Sequence, residues 1–253
     1  MRRGWESEAG HWAQFARTPR HDHAHEDVNL PALLDLLPPP AGRTLDLGCG
    51  EGRVGRVLRS LGYLVAGLDA APTMVRLAAT HESRQPVVLA DAAALPFRDE
   101  TFDLVVAYMS LHDFDAMPAA VADSARVLKR TGRLCAAIPH PICSVGSFRD
   151  RDPQAPFVIA GSYLDPSPVT WTADRGGIRM TFHSEHRPLE AYSRALEAAG
   201  LVIEAIREVR PPVSAAARDP ADLRWQRIPT FLHIRAYKPG EPDNAWLGAR
   251  QLG

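Results

Sequence analysis

Residues Thr44 to Arg56 read TLDLGCGEGRVGR, and two glycine-rich loops overlap within them. From Gly50, GEGRVG fits G-x-G-x-x-G, the turn that seats a dinucleotide pyrophosphate on a helix N-terminus. From Asp46, DLGCGEG is an acidic residue followed by G-x-G-x-G. In a dinucleotide site the first glycine follows the strand directly, so that backbone N–H groups approach both phosphates. Here the strand runs into Asp46 before Gly48. A carboxylate at that point repels a pyrophosphate. It suits a cationic ligand, or an ammonium group held through water.

Outward from this loop, short apolar strands alternate with helical periods. Thr44–Leu47 is expected as a strand and Arg53–Leu61 as a helix with Val54, Val57, Leu58 and Leu61 on one face. Leu64–Leu68, Val87–Ala90, Phe102–Tyr108 and Arg133–Ile138 follow as strands, with helices over Thr73–Thr80 and Pro118–Leu128. Such alternation argues an α/β fold with a parallel sheet covered on both faces. Upstream, the helix Leu30–Leu37 stops at three prolines. From 139 to 185 the pattern breaks, with strands expected at Phe157–Tyr163 and Ile178–Phe182 and a turn at Arg175-Gly176-Gly177. A helix over Leu189–Ala199 ends at Gly200, and strands at Val202–Val209 and Thr230–Tyr237 flank a loop holding a short helix near Asp219–Trp225.

The chain has 253 residues, 45% hydrophobic and 23% charged, enough for one large core with an elaboration. A net charge of −1 supplies no basic field for nucleic acid or an anionic membrane. Arginine outnumbers lysine, which occurs only at Lys129 and Lys238; this fits the codon bias of a GC-rich genome and carries no functional weight. Cys49, Cys135 and Cys143 form no C-x-x-C pair, which suits a reducing compartment. With no apolar stretch behind the basic N-terminus and no membrane-length segment, a cytoplasmic protein is expected.

Two further carboxylates stand at strand ends. Asp69 closes the second strand in GLDAA, where a pure acceptor pair suits two ribose hydroxyls. A dinucleotide needs that residue equally, so it does not discriminate. Asp91 follows the third strand in LADAAALPF, placed to accept a hydrogen bond from an adenine amine. Three carboxylates at three successive strand ends describe an adenosine bearing a positively charged amino-acid tail.

DLGCGEG, GLDAA and LADAAALPFRDETFDLVVAYMSLHDF together resemble the successive motifs of class I S-adenosylmethionine-dependent methyltransferases, most of all the small-molecule type 11 subgroup. The motifs cover residues 44–138, and the element order extends the likeness to about 238. The resemblance implies a seven-stranded, mostly parallel Rossmann-like sheet with its last strand antiparallel. It implies S-adenosylmethionine as cofactor and S-adenosylhomocysteine as product. Asp46, Gly48, Cys49 and Gly50 would line the methionine end, with Arg53 and Met109 completing the cofactor contacts. Asp69 would take the ribose, Ala70 and Met74 would lie beside the adenine, and Asp91 and Ala92 would meet its edge. GEGRVG is then incidental, and Gly55 serves helix–sheet packing.

Methyl transfer is an in-line displacement, and most of the catalysis comes from placing the acceptor within about 3–3.5 Å in a water-poor pocket. A base is needed only where the acceptor must lose a proton, and His112 in AYMSLHDF is the candidate. AYMS lacks the Asn- or Asp-Pro-Pro-aromatic motif of enzymes that methylate nucleic-acid bases or glutamine amides, so no nucleic-acid partner is expected. The acceptor is expected to be a small organic metabolite, methylated on oxygen or nitrogen, with no membrane partner. Whether copies associate into a homo-oligomer stays open. A single domain over 1–253 divides into an N-terminal helical lid (1–43), the cofactor core (44–138), a cap inserted after the fifth strand (139–187), C-terminal elements (188–238) and a tail (239–253). Trp12 and Arg17 in the lid are expected over the cofactor, Arg17 at the methionine carboxylate. Trp12, Phe114, His140, Tyr163 and His186 are the candidate acceptor contacts. The run His21, His23, His25 invites a metal only if it is extended, and the chemistry needs none. Two rivals remain: a nicotinamide-dependent oxidoreductase, carried by GEGRVG, and a non-catalytic S-adenosylmethionine-binding protein.

Overall fold

A computed structural model describes residues 1–82, 85–175, 177–214 and 219–240. Gly176 of the expected turn and most of the expected tail, 241–253, lie outside the described residues. Seven strands form one sheet: β1 (Arg43–Leu47), β2 (Leu64–Asp69), β3 (Val87–Leu89), β4 (Phe102–Tyr108), β5 (Leu128–Pro139), β10 (Val202–Val209) and β11 (Phe231–Tyr237). Their spatial order is β10-β11-β5-β4-β1-β2-β3. β1 pairs in parallel with β2 and β4, β2 with β3, and β4 with β5. β11 alone runs antiparallel to both of its neighbours, β5 and β10, between which it is inserted. The mostly parallel sheet with a reversed last strand is therefore present.

The period-2 alternation of β4 explains the two layers. Leu104 and Val106 point to one face, where they meet Leu33 of α2 (Leu30–Leu36) and Val54 and Leu58 of α3 (Arg53–Ser60). Val105 and Ala107 point to the other, joining Val121 of α5 (Met117–Val127) and Leu196 of α6 (Leu189–Ala198). Central strands covered on both faces carry apolar residues on both, which is why β4 reads as a continuous apolar run from Leu104 to Tyr108. The glycine expected to serve packing does so: a Cβ added at Gly55 of α3 would meet Gln85 Oε1 at 2.1 Å.

Between β5 and α6 the irregular stretch folds into two hairpins. β6 (Gly146–Phe148) pairs with β7 (Phe157–Ile159), and β8 (Ser167–Arg175) with β9 (Ile178–His186). Strands were expected at the positions of β7 and β9, but their partners β6 and β8 were not. The helix α1 (Arg2–Arg17) lies between β9 and α4 (Pro72–Thr80), and its aromatic face holds it there. Trp5 and Trp12 sit edge-on to each other at 5.7 Å and edge-on to Phe182 of β9 at 5.8 and 6.0 Å. Phe15, fully buried, packs with Ile178 and Met180. Polar contacts tie the other side: Glu6 accepts from Thr73 N and Oγ1 at 3.0 and 2.7 Å, and Arg2 Nε donates to Ala70 O at 3.0 Å.

Candidate active site

The parallel strands β1 to β4 end at one edge of the sheet, and a cavity of about 200 Å³ opens there beneath α1. Gly48 begins its floor with φ +73, and a Cβ at that residue would lie 2.6 Å from Ser110 Cβ. Only glycine fits both the left-handed backbone and the close approach. The loop crosses from β1 onto β2, where Gly48 and Cys49 both donate N–H to Leu68 O at 2.8 and 2.9 Å. Gly50 N–H turns inward and donates to Asp69 Oδ2 at 2.8 Å.

The three strand-end carboxylates come together as expected: Asp46, Asp69 and Asp91 all line the cavity. Asp46 is 1% exposed, and its Oδ2 is buried with no partner. Burial and the nearby Asp69 push its pKa up to about 7, against the Gly55 N–H and the Arg56 guanidinium, which favour the ionised form. A buried carboxyl with one unpartnered oxygen fits a cationic ligand group. Asp69 is also raised by burial, but backbone N–H groups resist the shift. Its Oδ1 accepts from Ala71 N at 2.9 Å, so each oxygen already holds one amide. A carboxylate has about four lone-pair positions, which leaves two for a pair of hydroxyls. Asp91 lies two residues past β3, with Oδ1 capping Ala93 N at 2.9 Å and its side chain open toward the cavity.

Ala70 and Met74, Ala92, Cys49, Arg53, Met109, Trp12 and Phe114 line the same cavity. Met109 follows β4 with φ +53, a left-handed conformation rare for a side chain of its kind, and its N–H is fixed on Ala137 O at 2.7 Å. Arg53 stands over the Trp12 ring at 4.9 Å and is paired with Asp22 at 2.8 Å.

Five expected site residues are placed elsewhere. Arg17 spends its guanidinium on Glu51 at 2.8 Å and Leu77 O at 3.0 Å, so it anchors α1 rather than lining the cavity. His140 caps the turn after β5 by accepting from Ile142 N at 3.2 Å, and its other nitrogen meets Glu208 at 3.1 Å. His186, 1% exposed, joins Ser144 Oγ at 2.7 Å to Tyr163 O at 2.8 Å. Tyr163 Oη accepts from Leu189 N at 3.3 Å. His140 thus ties the turn after β5 to β10, while His186 and Tyr163 tie β9 and the loop before β8 to that turn and to α6. His112 lies beside the cavity but does not line it. Its Nδ1 is buried without a partner, and burial next to Arg187 lowers its pKa to about 3.

The structure adds lining residues that the sequence reading passed over: Arg2, Trp5, Tyr108 and Asp113. Tyr108 Oη is hydrogen-bonded to His25 Nδ1 at 2.8 Å, and burial beside Arg53 lowers the His25 pKa to about 4. His25 belongs to a π-helical turn (His25–Asn29), so the three alternating histidines diverge: His23 meets Asp27 at 3.3 Å, and His21 lies against Phe15. Among the described residues no group of His, Cys, Asp and Glu has the arrangement of a metal site.

Comparison with known proteins agrees with this geometry. The profile of a family described as Methyltransferase domain matches residues 45–136. The chain is 33% identical over 184 residues to nocamycin O-methyltransferase of Saccharothrix syringae, covering 67% of this chain and 63% of that protein. It is 30% identical over 218 residues to 27-O-demethylrifamycin SV methyltransferase of Amycolatopsis mediterranei, covering 81% of this chain and 71% of that one. Across these and further curated relatives, the chain spans between about a quarter and seven tenths of their length. A crystal structure of an S-adenosylmethionine-dependent methyltransferase from Mesorhizobium loti superposes with TM-score 0.67 at 25% identity, over 82% of this chain and 96% of that one. Strand-end acids, glycine floor, sheet order and sequence likeness agree, and the chain belongs to the class I S-adenosylmethionine-dependent methyltransferases.

Proposed function

We propose that the protein transfers the methyl group of S-adenosylmethionine to an oxygen of a small organic molecule. The observation that carries this is the set of three strand-end carboxylates around one roofed cavity, with Asp46 suited to a cation and Asp69 to a pair of hydroxyls. The cofactor, when bound, supplies an electrophilic methyl on a sulfonium. The chain's own part is to hold the donor by Asp46, Asp69 and Asp91, to exclude water with Trp5 and Trp12, and to present the acceptor beside the fourth strand. Oxygen is favoured as the acceptor atom because two relatives methylate oxygen, on nocamycin and on 27-O-demethylrifamycin SV. A small acceptor suits a cavity of this size whose roof is aromatic. Among the described residues, no helix is long and apolar enough to cross a membrane.

The test is calorimetry with S-adenosylmethionine, S-adenosylhomocysteine and NAD, followed by mass-spectrometric detection of S-adenosylhomocysteine formed with a panel of phenols and aliphatic alcohols. Binding of NAD alone would restore the nicotinamide reading. Binding of S-adenosylmethionine without turnover on any acceptor would favour the non-catalytic one.

Asp46 gives a pH prediction. Burial and Asp69 push its pKa up to about 7, and a cationic ligand favours the ionised form. Binding therefore releases a proton below that pH. Affinity for S-adenosylhomocysteine, which carries the ammonium, should rise from pH 5.5 to 7 by a factor approaching tenfold per pH unit and level off above. Asp46→Asn should flatten the profile. An unchanged slope in that variant would remove Asp46 from the ligand's surroundings.

A further inference from the structure

One carboxyl on the cavity wall has no role among the nucleotide contacts. Asp113 ends the short 3-10 turn Leu111–Asp113 that follows β4, and it lines the cavity with a side chain only 9% exposed. Its Oδ2 accepts from the Trp5 indole N–H at 3.0 Å, and its Oδ1 lies 3.4 Å from His112 Nε2. Two contacts leave lone pairs free on a carboxylate.

Its charged surroundings are mixed. The Met1 amino group approaches from α1, Asp69 from β2, His112 from its own turn and Tyr192 from α6. Arg187, just past β9, faces it too, but is committed to Phe114 O at 2.9 Å, to His112 O and to Glu185. Burial outweighs these neighbours and holds the Asp113 carboxyl well above the usual carboxylate range.

We propose that Asp113 is the group that balances the sulfonium charge across the cavity and takes the proton of the acceptor hydroxyl; this rests on the function proposed above. Asp113 receives that proton as the acceptor oxygen bonds to the methyl carbon and the carbon–sulfur bond breaks. The bonding pair stays on sulfur, which becomes a neutral thioether. One cation and one anion thus become two neutral groups within a single buried space. The desolvation that disfavours ionised Asp113 then helps the proton arrive, because the cation that had offset it disappears in the same step. His112, which does not line the cavity, is left as a neighbour of the base.

The two cofactor forms make the test, since they differ only in the methyl group and its positive charge. Both are titrated calorimetrically into the full chain and into Asp113→Asn at pH 6, 7 and 8. Asn keeps the shape of Asp and can still accept the Trp5 N–H. The shared ammonium facing Asp46 cancels in the ratio of the two affinities. In the unmodified protein the preference for S-adenosylmethionine should grow several-fold from pH 6 to 8. Asp113→Asn should bind S-adenosylhomocysteine within about threefold of the parent, lose about tenfold in preference for S-adenosylmethionine at pH 8, and show a flatter pH profile. A parental ratio at every pH in the variant overturns the proposal. Should the variant lose both ligands, the unmodified protein decides alone, and a ratio that is flat in pH overturns it. Failure of the unmodified protein to bind either form would instead overturn the proposed function.

Discussion

Asp69→Ala should lose S-adenosylhomocysteine binding by about 30- to 1,000-fold, the equivalent of roughly 2–4 kcal/mol for a carboxylate that bonds both ribose hydroxyls. The loss has a second source in this structure. Asp69 also collects the N–H groups of Gly50 and Ala71, so removing it leaves two inward-facing donors unpaired and loosens the floor of the site. The effect should therefore lie toward the upper end of the range. Asp91→Ala should cost much less, because Asp91 is exposed and a single adenine contact is at stake. Calorimetry on both variants checks the ranking. Equal losses, or an unchanged Asp69→Ala, would break the link between the second strand end and the ribose.

Deleting residues 1–27 should leave a folded sheet, since β1 begins at Arg43, yet strip the roof from the cavity. Trp5 and Trp12 would go, and with them the partners of Phe182, Ile178 and Met180 on β9. Water would enter, the acceptor would lose a wall, and turnover should fall by about 10²-fold or more. His25 goes as well, so Tyr108 would lose its hydrogen-bond partner. Stopped-flow release of S-adenosylhomocysteine should accelerate at least tenfold, because α1 is latched across the site by Glu6, Arg2 and Arg17. Parental release and turnover in the truncated chain would contradict a lid.

What the sequence revealed was local. Asp46, Gly48 and Gly50 lie within one strand–loop–helix unit, and Asp69 and Asp91 repeat the same placement after the next strands, so spacing alone brings them together. The roof is half legible: Trp12 stands out in the sequence, but Trp5 and Arg2 depend on how α1 crosses the sheet, which no short-range pattern encodes. His112, the base expected from the sequence, stands one residue before the carboxyl that lines the cavity. The chain from Leu111 to Asp113 makes a 3-10 turn, in which successive side chains are about 120° apart, so neighbouring residues there face different ways. Asp113 faces the cavity and His112 does not. In the cap, His186 and Tyr163 have credible ligand chemistry but bond to a turn, a loop and the start of α6, because buried polar groups must find partners whatever their chemistry. Arg17 shows the same competition: a buried Glu51 claimed it first.

The insertion of β11 between β5 and β10 bears on how the chain reaches this structure during synthesis. Until Phe231–Tyr237 has left the ribosome, β5 offers an open edge and β10 has no neighbour in the sheet. The same late strand carries His233, bonded to Asn29 at 2.6 Å, and Arg235, bonded to Leu36 O at 2.9 Å, so the turn and helix ahead of β1 also wait for it. Contacts spanning some 200 residues make closure of the sheet a late, non-local and slow event. A nascent chain paused short of residue 231 would expose an unpaired apolar strand, the kind of edge on which chains associate with one another and which chaperones cover.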